Sequence, residues 1–159
     1  MLHFDKIDLI KDRDTVIRFR RDSFVISFGD DSGLGKESEY LDWLEDKIAH
    51  FPAGFVLVKE NDEPIGQLEL SIREYEGENI GYVHLYYLTP KKRGSGVSRE
   101  LHHYAMQFFK TRNVNEFHLR VATGNTNAIK FYIKNGMQKV GPELDGKVFR
   151  MKGIIDIGV

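Results

Sequence analysis

The stretch Thr89-Pro90-Lys91-Lys92-Arg93-Gly94-Ser95-Gly96-Val97-Ser98-Arg99-Glu100-Leu101 decides how the rest of the chain is read. An apolar run, Val83 to Leu88, leads into it. Beyond it Val97, Leu101, Tyr104, Ala105, Phe108 and Phe109 recur as on an amphipathic helix, ending near Thr111-Arg112-Asn113. A strand that turns tightly and opens directly into a helix is therefore expected. Glycines at 94 and 96 let a ligand approach the backbone, and the free N–H groups of a first helical turn attract anions. Lys91, Lys92 and Arg93 add positive charge. The stretch reads as a phosphate cradle.

Downstream, Glu116 to Val121 alternates as a strand, with Phe117, Leu119 and Val121 on one face and Glu116, His118 and Arg120 on the other. Asn125 starts a helix through Ala128, Ile129, Phe131, Tyr132 and Ile133, and Asn135-Gly136 closes it with a left-handed cap. Met137 to Val140 and Lys147 to Lys152 form two last strands around Asp145-Gly146. The strand–helix–strand step over residues 83 to 121 implies two parallel neighbours joined by a right-handed crossover.

Upstream, Leu2 to Ile7 is a first strand, and Asp12 or Asp14 caps a helix from about Thr15 to Ser27. That helix has Val16, Ile17, Phe19, Phe24 and Phe28 at roughly helical spacing. Gly29 to Gly35 is a loop, and a second helix runs from about Glu37 to His50 with Tyr40, Leu41, Leu44 and Ile48 on one side and Trp43 beside them. Phe55 to Lys59, Pro64 to Ile72 and Ile80 to Leu88, separated by Asn61-Asp62-Glu63 and Glu76 to Asn79, read as a three-strand antiparallel meander.

Composition sets outer bounds. A chain of 159 residues supports one domain with a real core, and 41% hydrophobic with 30% charged residues is the balance of a globular protein. Cysteine is absent, which excludes disulfides, thiolate metal sites and a cysteine nucleophile. His102 and His103 are adjacent and so point to different helix faces, and no histidine pair has helical metal-ligand spacing; no metal is expected. No run is long enough to span a bilayer, and the early charges Asp5, Lys6 and Asp8 exclude a signal peptide, so a cytoplasmic protein without membrane contact is expected. Lys91 to Lys134 holds nine basic and two acidic residues, while the net charge of the whole chain is −1. Such a split suits a polyanion on the basic half and a neutral or cationic partner on the acidic remainder; nucleic acid is not expected, because the chain as a whole is not basic.

Two phosphate-loop patterns fail on spacing. No Gly-x-x-x-x-Gly-Lys-Ser/Thr occurs, and a dinucleotide fingerprint would need glycine where Arg99 stands. Arg93-Gly94-Ser95-Gly96-Val97-Ser98 instead resembles the Arg/Gln-x-x-Gly-x-Gly/Ala motif of the GNAT family of N-acetyltransferases, with the small Ser98 in the last place. Asn125 to Met137 is similar to the same family's Asn-x-x-Ala-x-x-x-Tyr-x-x-x-Gly-Phe signature, with Met137 in place of Phe.

The resemblance implies a single N-acetyltransferase domain over residues 1–159, of α/β class. Its sheet would be mixed but mostly antiparallel, of six or seven strands flanked by about four helices. It implies acetyl-CoA as cosubstrate, with the pyrophosphate on the amides of Arg93, Gly94, Ser95, Gly96, Val97 and Ser98. Tyr87 and Leu88 would border the pantetheine, and the Leu88 amide would polarise the thioester carbonyl. Asn125 and Ala128 would flank the cofactor arm, although Asn125 also reads as a plain helix cap. Tyr132 would be the general acid, or else a tyrosine packed under the sheet. An amine acceptor has to lose a proton, and Glu69 or His84 on adjacent meander strands are the candidate bases; the strand position that often carries a glutamate in the family shows none between Gly81 and Leu88. Trp43 and Tyr40 read as core or as acceptor-pocket wall, and Asp30 and Asp31 as contacts for a cationic acceptor. Direct transfer in a ternary complex to a small-molecule or peptide amine, a small cationic amine first, is the expected reaction. A non-catalytic acyl-CoA-binding or sensing domain and an acyltransferase with another donor are the alternatives. Homodimers through late strands or sheet edges are common in such proteins.

Overall fold

The computed structural model describes residues 1–155; the end of the domain expected over 1–159 lies outside the described residues. Seven strands form one sheet in the order β1-β2-β3-β4-β5-β7-β6. They are β1 (Leu2–Lys6), β2 (Phe55–Glu60), β3 (Glu63–Tyr75), β4 (Glu78–Leu88), β5 (Glu116–Ala122), β6 (Gln138–Glu143) and β7 (Val148–Ile154). Four α-helices complete it: α1 (Arg13–Phe28), α2 (Glu37–His50), α3 (Val97–Thr111) and α4 (Thr126–Lys134). Every pairing is antiparallel except β4 with β5, the two strands joined by α3.

The meander holds four strands rather than three, because β1 returns from the N-terminus to pair with β2. Its two tight turns carry positive φ at both central positions, Asn61 (51°) with Asp62 (64°) and Glu76 (51°) with Gly77 (83°). That handedness matches the twist of antiparallel strands.

Alternation along the strands sorts side chains into two layers. In β2, Phe55 and Leu57 pack with Val16 and Phe19 of α1 and Tyr40 and Leu44 of α2. Val56 and Val58 face the other way, toward Leu101, Ala105, Phe108 and Phe109 of α3. β3 puts Leu68 and Leu70 in the α3 layer and turns Gln67, Glu69 and Ser71, all buried, toward the α1–α2 side. Three polar groups are thus stacked on one covered sheet face.

Several sequence expectations need correction. Asp12 sits at the start of α1 but does not cap it; its carboxylate accepts from the Asp8 amide at 2.9 Å. Phe28 is exposed and Phe24 only half-buried, so the apolar stripe of α1 leaves the core in its last turn. His118 shares its face with Glu116 and Arg120 but is only 1% exposed, held between Glu116 Oε2 at 2.6 Å and Arg150 Nη1 at 2.9 Å. Arginine can only donate, so His118 Nδ1 accepts and Nε2 carries the proton. β6 begins one residue later than expected, after the buried Met137, and runs on to Glu143.

Gly81 opens the parallel β4–β5 pairing opposite Phe117, over Phe109, which stacks on Phe117 at 5.6 Å. A Cβ at Gly81 would lie 2.5 Å from Phe109 Cδ1 and 2.8 Å from Cγ. Gly81→Ala should therefore destabilise the fold by about 2 kcal/mol through overpacking, a fall in Tm of about 4–8 °C in thermal unfolding.

Candidate active site

The parallel ladder is short. β4 and β5 pair only through Gly81–Phe117, Tyr82–His118 and Val83–Leu119, yet β4 continues to Leu88 and β5 to Ala122. The cause is in β4. Its register against β3 slips by one residue, Glu69 facing Leu85 but Leu70 facing Val83, so His84 is an inserted residue. Such a bulge bends its strand and re-aims side chains; here His84 and Leu85 both turn toward the α1–α2 layer. Past the bulge the two strands diverge around a cleft of about 840 Å³.

The cleft wall on the β4 side is unpaired backbone. The Thr89 amide donates to Ile65 O on β3 at 2.9 Å, and alternation turns the Leu88 amide to the opposite side, into the opening. The Leu88 carbonyl is taken by Arg93 Nε at 2.9 Å.

At the mouth lies the basic turn. Gly94 and Gly96 have φ of 74° and 90°, and Gly96 starts α3 without any side-chain cap, so the first-turn N–H groups stay open to an anion. The expected role of the cations is corrected here. Arg93 donates to Asp22 of α1 at 2.9 Å, and the same carboxylate accepts from the Tyr87 hydroxyl. Lys92 is paired with Glu60. Among the described residues only Lys91 of the three has no ion pair. The cradle is made of backbone amides, and Arg93 braces it.

Across the cleft stand Asn125, Ala128 and Tyr132. Asn125 caps α4, its Oδ1 accepting from the Ala128 amide at 3.3 Å, and it borders the cleft as well. Tyr132 borders the opening and also packs against the core on the α3 side, 6.1 Å from the Tyr86 ring. Burial raises its phenol well above the usual tyrosine range, so it stays protonated.

At the back of the cleft sits a buried polar cluster. Glu69 Oε2 accepts from Tyr40 Oη at 2.5 Å and from Gln67 Nε2 at 2.9 Å, while Oε1 takes no hydrogen bond among the described residues. Desolvation raises the Glu69 carboxyl to about 7, against the lowering effect of Tyr40, Arg20 and Gln67. His84 lies 2.7 Å from Ser71 Oγ and edge-on to Trp43 at 5.1 Å. Burial, then Arg73 and Lys47, lower it to about 3, so it is neutral at ordinary pH. Tyr40 and Trp43 line an adjoining recess, and all expected catalytic and cofactor-binding residues line the cleft except Ser95, Gly96 and Val97, which lie in the turn and first helical residue beside it. Asp30 and Asp31 do not line it: Asp30 closes a turn on Ser32 at 2.8 Å, and Asp31 pairs with Arg21 at 3.5 Å. Among the described residues no group of three histidine, cysteine or acidic side chains is placed to hold a metal, and no helix is long and apolar enough to cross a membrane.

Residues 17–137 match the model of the acetyltransferase (GNAT) family. The chain belongs to this family. The acetyltransferase is 28% identical over 108 residues to aminoglycoside N(6')-acetyltransferase type 1 of Klebsiella aerogenes, covering 65% of this chain and 71% of that protein. Its fold is similar to Ard1 from Thermoplasma volcanium (TM-score 0.76, 19% identity, 97% of each chain). It is also similar to the PaiA N-acetyltransferase of Thermoplasma acidophilum in complex with coenzyme A (TM-score 0.75, 22% identity, 97% and 99% of the chains).

Three parts of the acetyltransferase's site escape sequence reasoning. Asp22 braces Arg93 from 71 positions away. Tyr40, read as core or pocket wall, also ties its hydroxyl to Glu69 from 29 positions away, a contact the sequence does not signal. The bulge at His84 leaves no mark on the apolar run that contains it.

Glu69 holds its proton in the folded acetyltransferase up to about 7, against 4.5 ordinarily. Between these values the folded state binds more protons than the unfolded chain, so stability falls as pH rises through the window, on the order of 3 kcal/mol in total. Glu69→Gln has no proton to lose. Urea unfolding should show the variant gaining on the wild type from pH 5 to pH 8.

Proposed function

We propose that this GNAT enzyme transfers the acetyl group of acetyl-CoA directly to a primary amine in a ternary complex. The observation that carries the reading is the splayed β4–β5 pair, which joins an open row of strand amides to an uncapped helix N-terminus. An extended arm ending in a pyrophosphate fits those two features together: the arm alongside β4 near Tyr87 and Leu88, the phosphates on the amides of residues 93–98. Acetyl-CoA supplies the activated acyl group when bound.

The chain's own groups divide the work. Glu69, poised near neutrality with Oε1 free, takes the proton of the attacking ammonium, whose ordinary pKa of about 10.4 otherwise keeps it unreactive. His84, at about 3, is too weak a base to do so, and it lines the acceptor path instead. The amine nitrogen bonds to the acyl carbon while the Leu88 amide stabilises the charge that develops on the carbonyl oxygen. As the C–S bond breaks, the Tyr132 hydroxyl donates its proton to the leaving sulfur, and the second proton shed by the nitrogen restores the phenol by way of solvent. The acceptor reaches the acyl carbon from the α1–α2 side, past Trp43 and His84.

A non-catalytic CoA-ester sensor would have no use for a half-neutral buried carboxyl in the same cleft as a shielded phenol, and this combination favours catalysis. With acetyl-CoA and an amine acceptor, free-thiol release should follow a limb in kcat/KM that rises with pH around 7 and is lost in Glu69→Gln. Tyr132→Phe should lower kcat about 100-fold or more, with acetyl-CoA affinity by calorimetry unchanged. Unaltered turnover in Tyr132→Phe at every pH would remove it as the acid, and failure to bind any CoA ester would sink the whole reading. A calorimetric panel of CoA esters separates acetyl from other donors.

A further inference from the structure

A recess of about 340 Å³ branches from the main cleft between α1 and α2, and Arg20, Phe24, Glu69 and His84 line both spaces. Arg20 stands out among the arginines of this region. Of the three arginines that line the main cleft, Arg93 pairs with Asp22 and Arg120 with Glu143, whereas Arg20 has no carboxylate partner and donates no hydrogen bond among the described residues. Its guanidinium lies 4.3 Å from the Tyr40 ring centre and 5.3 Å from that of Phe24. Aromatic contact occupies the faces of the guanidinium and leaves its edge, where the N–H donors point, available to a planar acceptor.

We infer that Arg20 receives a carboxylate of the acyl acceptor, which is therefore a small zwitterionic amine with its amino and carboxylate groups a few bonds apart. The inference rests on the reading that Glu69 takes the amine's proton. An ammonium arriving at Glu69 Oε1 comes into the field of Arg20, whose positive charge acts on Glu69 and Tyr40. Lys36 at the rim adds a second cation, and exposed Glu39 offsets one of the two. A polycationic acceptor would bring further positive charge against this pair, whereas a carboxylate neutralises it and can bind Arg20 through two parallel hydrogen bonds. Phe24 and Trp43 leave an apolar path for the body between the charges. The small cationic amine expected from the acidic remainder of the chain is thus replaced by an amino-acid-like one.

Matched acceptors that differ only in the carboxylate test this: phenylalanine against phenethylamine, and leucine against 3-methylbutylamine, with saturating acetyl-CoA and thiol release as readout. The wild type should favour the carboxylated member of each pair by about 10- to 100-fold in kcat/KM. Arg20→Ala should collapse that ratio toward one, and Arg20→Lys should keep part of it, because lysine supplies the charge without the bidentate fork. Equal rates within each pair, a faster bare amine, or an Arg20→Ala variant that keeps the ratio would overturn the inference while leaving acetyl transfer standing. Binding of acetyl-CoA without acetylation of any amine would overturn the proposed reaction, and this inference with it.

Discussion

The ladder between β4 and β5 stops after Val83–Leu119, and the chemistry of the molecule depends on that stop. A parallel sheet normally satisfies its backbone donors strand to strand. Here one inserted residue, His84, bends β4 away, and Leu88 is left with its amide facing an opening. A wall of the cleft has been made from main chain alone, so no particular side chain is needed at that position. The same kink aims His84 and Leu85 into the acceptor layer. The open strand edge and the turn of two side chains toward α1 and α2 are two results of one irregularity.

Buried polarity on the α1–α2 face is the second element. Gln67, Glu69 and Ser71 alternate with Leu68, Leu70 and Ile72, so β3 is apolar toward α3 and polar toward α1 and α2. Burying a carboxyl without a cation costs stability, and hydrogen bonds from Tyr40 and Gln67 recover only part of it. Gln67 has to present its amino end to Glu69 and Tyr40, and its own Oε1 has no partner among the described residues. The site thus carries a cost that its chemistry requires.

How much could be read in advance follows from how local each determinant is. The hairpin turns, the Gly136 cap, the amphipathic α3 and the glycine turn before it are short-range patterns, and they were legible. Two motifs separated by a strand and a helix were enough for the family. What escaped was decided by partners far along the chain. The positive charge of Arg93 looked like an anion ligand until Asp22 was placed beside it, and nothing in the alternation of β5 signals that Arg150 closes over His118. The Glu69 carboxyl was a candidate on position alone; its depth, set by residues far along the chain, raises its proton affinity toward neutrality against the opposing hydrogen bond from Tyr40.

Unpaired strand edges are ordinarily a hazard, since they template pairing with other chains and invite aggregation. The inner edge of β4 past Val83 is such an edge, but it lies in the interior of the sheet, flanked by β5, α4 and the basic turn instead of solvent. A second folded domain cannot approach it; a single extended chain of atoms can. The splay therefore acts as a size filter, admitting a thin flexible arm while denying the same hydrogen bonds to neighbouring proteins in a crowded solution.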